Sequence, residues 1–112
     1  RQSKRFLMGC FMVYVTVPSQ EEAEKIANSL IEDRFAACVN VLGPITSIFS
    51  WQGEVRSEKE VAVLIKTSEV LVAALTERIT ALHSYECPSV VAWPIPLGNR
   101  DFLEWIKTET TR

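Results

Sequence analysis

The sequence holds one histidine, four glycines and no two cysteines close enough to form a Cys-x-x-Cys pair. Each scarcity removes a class of function. A copper chaperone clamps cuprous ion between two thiolates in the loop after its first strand, and here that loop, Val17-Pro18-Ser19, has none. Iron–sulfur binding fails on the same spacing, because Cys10, Cys38 and Cys87 are scattered. The loop also lacks glycine, which argues against the backbone nest that an acylphosphatase-like site uses to hold phosphate. Charge of one sign is missing too: 12 basic and 14 acidic residues leave a formal charge of −2, without the basic face that nucleic-acid binding needs. Phe11 and Tyr14 are the only candidate aromatic platforms for RNA on the early strand. With a single imidazole, a cysteine nucleophile would have to find its base in His83, four residues before Cys87. No enzyme activity is expected.

What is present describes one compact domain. A chain of 112 residues with a 47% hydrophobic and 23% charged composition can bury a real core. Trp51, Trp93 and Trp105 are much aromatic area for so small a domain, and another subunit is one way to cover it. Three cysteines cannot all pair within one chain, so reduced thiols in a cytosol-like compartment are expected. Arg1, Lys4 and Arg5 precede an apolar run from Phe6 to Val17, which is too short to span a bilayer and suits a strand. Residues 1–9 are expected to form a flexible tail ahead of a single domain over 10–112. Because the sequence opens on Arg, the compartment stays open to membrane association or organelle targeting through an N-terminal extension.

The first strand is expected from about Cys10 to Val17. Ser19 and Glu22 then form a capping-box signature before a helix whose apolar face is Ala23, Ile26, Ala27, Leu30 and Ile31. A second strand begins near Ala36 and continues past Gly43-Pro44 to about Glu54, long and bent at a bulge near the proline. A turn is expected within Val55 to Lys59, and a third strand from Glu60 to Lys66. Thr67-Ser68-Glu69 reads as the cap of a second helix with Leu71, Leu75, Ile79 and Leu82 on its buried stripe. A short strand from Ser89 to Trp93 follows, and Asn99 caps a last helix carrying Phe102, Leu103, Trp105 and Ile106. Right-handed crossovers turn this order into an α+β, ferredoxin-like βαββαβ sandwich with an extra C-terminal helix.

His83, at the end of the second helix, suits the negative end of the helix dipole without any ligand. Its alternative role joins it to Glu86 and Cys87 as nitrogen, oxygen and sulfur donors within five residues, a set that suits a divalent transition metal bound weakly. Cys38 adds a second thiol, and no organic cofactor is expected. A cleft between subunits could instead use Lys66, Arg56 and the Tyr85-Glu86 turn to hold a small molecule. The overhanging second strand, with Phe49 and Trp51 on it, demands a partner edge, and a ring of three copies provides one.

These pieces together resemble the CutA divalent-ion tolerance family. The resemblance rests on Ala36-Ala37-Cys38-Val39-Asn40, Trp51-Gln52-Gly53-Glu54, Glu60 through Lys66-Thr67, and His83-Ser84-Tyr85-Glu86-Cys87-Pro88, in family order from about Phe11 to Lys107. Ser84 replaces the usual proline of the His-Pro-Tyr-Glu-x-Pro stretch, and Cys87 stands at its variable position. The resemblance implies a ferredoxin-like homotrimer linked to tolerance of copper and other divalent cations. Trp93-Pro94-Ile95-Pro96-Leu97-Gly98-Asn99 is most similar to animal members, for which it implies association with acetylcholinesterase and its membrane anchoring. A likeness to trimeric PII signalling proteins supports the alternative of a small-molecule sensor.

Overall fold

A computed structural model describes residues 9–111. Residues 1–8 lie outside it, and with them most of the segment expected as a tail; Gly9 is described, its carbonyl accepting from Glu69 N at 2.9 Å. Four strands, β1 (Cys10–Val17), β2 (Cys38–Trp51), β3 (Glu54–Ser68) and β4 (Val90–Ile95), pair antiparallel in the order β2-β3-β1-β4. Helices α1 (Gln20–Glu32) and α2 (Val72–Leu82) are the crossovers, and α3 (Arg100–Glu109) follows β4. The βαββαβ order and the extra helix agree with the sequence.

The core lies between α1, α2 and one sheet face. Register places Val13, Val15 and Val17 opposite Ile65, Val63 and Val61, and all six are buried against Ala23, Ile26, Leu30, Leu75 and Ile79. Two members of the expected apolar stripes, Ile31 and Leu82, are exposed. The opposite sheet face is partly roofed by α3, whose Ile106 is fully buried while Phe102 and Trp105 stack on each other and stay exposed. Arg34, in the left-handed region after α1, donates to the Thr108 carbonyl at 3.0 Å and ties the end of α3 to the body.

Local chemistry sets the helix starts. Ser19 Oγ accepts from Glu22 N at 3.1 Å, and Asn99 Oδ1 accepts from Phe102 N at 3.0 Å, as their sequences require. The expected cap at Thr67-Ser68-Glu69 does not form. A 3₁₀ turn over Glu69–Leu71 leads into α2, the Ser68 hydroxyl instead meets the Thr110 hydroxyl, and Thr67 donates to the Phe35 carbonyl at 2.7 Å. Both side chains have been drawn into tertiary contacts.

β2 is long and bent, as expected, with its bulge between Val41 and Gly43. Glycine, at φ +103°, makes that kink, not the neighbouring proline. The hairpin turn is Gln52-Gly53, with φ 51° and 80°, so β3 begins at Glu54 and no turn interrupts Val55 to Lys59. β1 stops pairing with β3 at Val61, so the first part of β3, from Glu54 to Glu60, pairs only with β2. The result is a two-stranded arm that gives the molecule its 47 Å long axis against 27 and 24 Å. Along it Ile48, Phe49, Trp51 and Val55 are exposed.

Candidate functional site

Where the arm leaves the sheet, the turn after α2 folds over the end of β1. His83 ends α2 by adopting an extended conformation, and its ring is buried. Its Nδ1 accepts from the backbone N–H of Tyr85 at 3.0 Å, so this nitrogen carries no proton in that bond. The proton must sit on Nε2, which donates to the Thr16 carbonyl at 2.8 Å. The imidazole therefore holds the turn as a neutral ring, in place of the charged ring at a helix end considered from the sequence.

Glu22 completes this knot. Its Oε2 accepts from Ser84 N at 2.9 Å and lies 3.5 Å from His83 Nδ1. The capping box is thus half closed: Ser19 plays its part, and the glutamate reaches across to a turn 62 residues away. Tyr85 packs its ring against His83, with centroids 4.7 Å apart, and its hydroxyl donates to Glu60 Oε2 at 3.0 Å. Burial pushes the Tyr85 phenol up to about 12, helped by the hydrogen bond to Glu60 and the charges of Glu60, Glu58 and Glu22.

Glu60 and Glu22 are the residues of this cluster that sequence reasoning missed. Glu60 signalled itself weakly, as the acid at the start of the apolar run Val61 to Ile65. Glu22 was assigned to the cap.

The expected metal donors are not gathered in one chain. Cys38 opens β2 opposite Lys66, whose row on β1 is Met12, while His83 sits at Thr16. Four residues of strand separate the two rows, roughly 13 Å. Glu86 and Cys87 lie exposed on the turn. Among the described residues no group of three His, Cys, Asp or Glu side chains is placed to hold a metal ion. A cation bound at His83 has to displace the Tyr85 N–H or the Thr16 carbonyl.

The cleft residues are similarly spread. Lys66 Nζ donates to Asn40 Oδ1, and lies 5.9 Å from the Phe102 ring centroid. Arg56 is on the arm, 3.9 Å from Glu54. Lys66 and Arg56 share a face of β3 but stand ten residues apart, roughly 33 Å. Tyr85 lies between them, at the Glu60 position.

The comparisons with known proteins agree with this geometry. The family model described as CutA1 divalent ion tolerance protein matches residues 11–109. The chain belongs to that family. The Divalent-cation tolerance protein CutA of Thermus thermophilus is 48% identical over 99 residues, covering 88% of this chain and 96% of the relative. Protein CutA of Homo sapiens is 41% identical and covers 87% of this chain, which spans only 54% of that relative's length. The crystal structure of CutA1 from Oryza sativa superposes with a TM-score of 0.90 at 43% identity, covering 94% of this chain and 96% of the other. This CutA1-family chain therefore shares an α+β fold of a four-stranded antiparallel sheet and three helices with solved relatives. The family's names state a tolerance to divalent ions, not a reaction. No helix among the described residues is long and apolar enough to cross a membrane.

Proposed function

We propose that this CutA1-family chain works as a homotrimer that binds divalent cations, copper among them, weakly and without turnover. The observation that carries the reading is the arm: an exposed two-stranded ribbon bearing Ile48, Phe49, Trp51 and Val55. A hairpin alone in water is marginal, and an apolar sheet edge invites another chain. Three copies closing head to tail cover Phe49 and Trp51 and leave no open edge to propagate.

Assembly also bears on the metal. Cys38, Glu86 and Cys87 are too dispersed within one chain, so donors from neighbouring subunits complete the coordination, with His83 holding the turn that presents Glu86 and Cys87. Thiol and carboxylate donors of mixed softness suit weak binding. Sedimentation equilibrium combined with copper dialysis tests this: a trimer that binds copper, and loses affinity on Cys38→Ser or Cys87→Ser, supports it. A folded monomer, or a trimer with affinity unchanged in both variants, opposes it.

A second reading, a small-molecule sensor with ligand in clefts between subunits, draws on Lys66, Tyr85 and Arg56 along one face of β3, which only assembly can bring into one cleft. A nucleotide panel in the same dialysis separates it from cation binding. Association with acetylcholinesterase and its membrane anchoring, by analogy with animal members, is the partner role to test by pull-down.

A further inference from the structure

At the end of the sheet farthest from the arm, Cys38 and Lys66 face each other across β2 and β3. Lys66 Nζ lies 4.0 Å from Cys38 Sγ. Both groups share one acceptor: the thiol is 3.8 Å from Asn40 Oδ1, which also receives the amine. Phe102 of α3 roofs the amine, and both side chains are partly shielded from solvent. The other two cysteines are set differently. Cys10 is buried with its thiol directed at the Leu103 carbonyl, and burial pushes that thiol up. Cys87 is exposed on the turn.

Peroxide oxidises a cysteine sulfur to sulfenic acid, and the sulfenic acid condenses with whichever thiol or nitrogen is near. Cys10 is on β1, two strands from β2 and roughly 10 Å away, which is beyond disulfide reach. The Lys66 amine, 4.0 Å away, is within reach. We propose that Cys38 and Lys66 are an oxidative crosslinking pair. Hydrogen peroxide takes two electrons from the Cys38 sulfur, giving sulfenic acid and one water. The Lys66 amine, having released a proton to solvent, attacks the sulfur. The hydroxyl leaves with a proton as a second water, and an S–N bond joins β2 to β3. Two equivalents of a small thiol reverse the step, restoring thiol and amine and leaving as a disulfide. The bond removes the Lys66 charge, draws the nitrogen away from Asn40 and Phe102, and locks the start of β2. It rests on this chain's geometry, and while it holds it withdraws the Cys38 thiol from the cation site proposed above.

The test treats the full-length protein with hydrogen peroxide, alkylates the thiols left and reads the intact mass, then maps the product by proteolysis. The expected product is ~2 Da lighter than the reduced chain, has one alkylation site fewer, joins the peptides of Cys38 and Lys66, and reverts with dithiothreitol. Lys66→Arg keeps the charge but lacks the nucleophilic amine. It should lose the crosslink and leave a sulfenic acid at Cys38 that a dimedone probe captures; Cys38→Ser should lose both. The same crosslinked mass in Lys66→Arg would overturn the proposal. So would wild-type protein in which Cys38 stays reduced, keeps added oxygen or pairs with another cysteine.

Discussion

His83 Nε2–H donates to the carbonyl of Thr16 at 2.8 Å, joining residues 67 positions apart at the point where the arm departs from the sheet. Because Nδ1 is taken by the Tyr85 N–H, the ring serves as a two-ended clamp between strand and turn. His83→Ala leaves the Thr16 carbonyl and the Tyr85 amide without these partners, at a cost of about 1–3 kcal/mol for each buried group left unsatisfied. A lowered urea midpoint with unchanged slope is the expected result. His83→Gln, which keeps a donor, should lose less.

Tyr85 gives a spectroscopic handle on the same turn. Its phenol is pushed up to about 12, chiefly by burial and then by Glu60, so one of the two tyrosines should ionise late in an ultraviolet titration. Glu60→Gln should bring that transition down. The sign for stability follows from the raised value: the contribution is fully present below the ordinary phenol range near 10 and is lost as pH rises from there through about 12. Stability measured between those limits should fall more steeply in the wild type than in Tyr85→Phe.

At Gly43 the bulge requires φ +103°, and nothing lies within 4 Å of where a Cβ would stand. Gly43→Ala should therefore cost about 1–2 kcal/mol through backbone strain alone, without a packing clash. Equal stability of the two proteins by denaturant melt would mean that the bulge relaxes.

Copper affinity should follow sulfur and not the acidic surface. Cuprous ion prefers thiolate, whereas isolated surface carboxylates offer attraction that salt screens. Equilibrium dialysis should show weaker binding for Cys38→Ser and Cys87→Ser, and little change for Glu32→Gln on the outer face of α1.

Much of the fold was legible because its signals are local. Ser19 and Asn99 cap helices through bonds three residues long, and alternation along Val13, Val15 and Val17 marks the core face of β1. The length and bend of β2 were also legible, since Gly43-Pro44 interrupts an otherwise continuous strand pattern. The turn was misplaced because the charged stretch from Val55 to Lys59 looks like a loop, whereas Gln52-Gly53 has the left-handed geometry that a tight hairpin needs. In the arm those charges sit on exposed strand, where no burial pattern betrays them. The site was only half legible. His83 and Tyr85 stood out as chemistry-bearing residues, but their partners Glu22, Glu60 and the Thr16 carbonyl are set by tertiary contact over dozens of residues.

The arm decides whether the functional reading stands. Trp51 and Phe49 are exposed on a ribbon that pairs only with itself, and both are expected to be covered in a three-fold ring. Sedimentation equilibrium at micromolar concentration should return three times the 12.6 kDa chain mass for the wild type and a smaller mass for Trp51→Asp. A folded wild-type monomer whose Trp51 fluorescence is that of an indole in water would contradict the trimer, and with it the shared cation site.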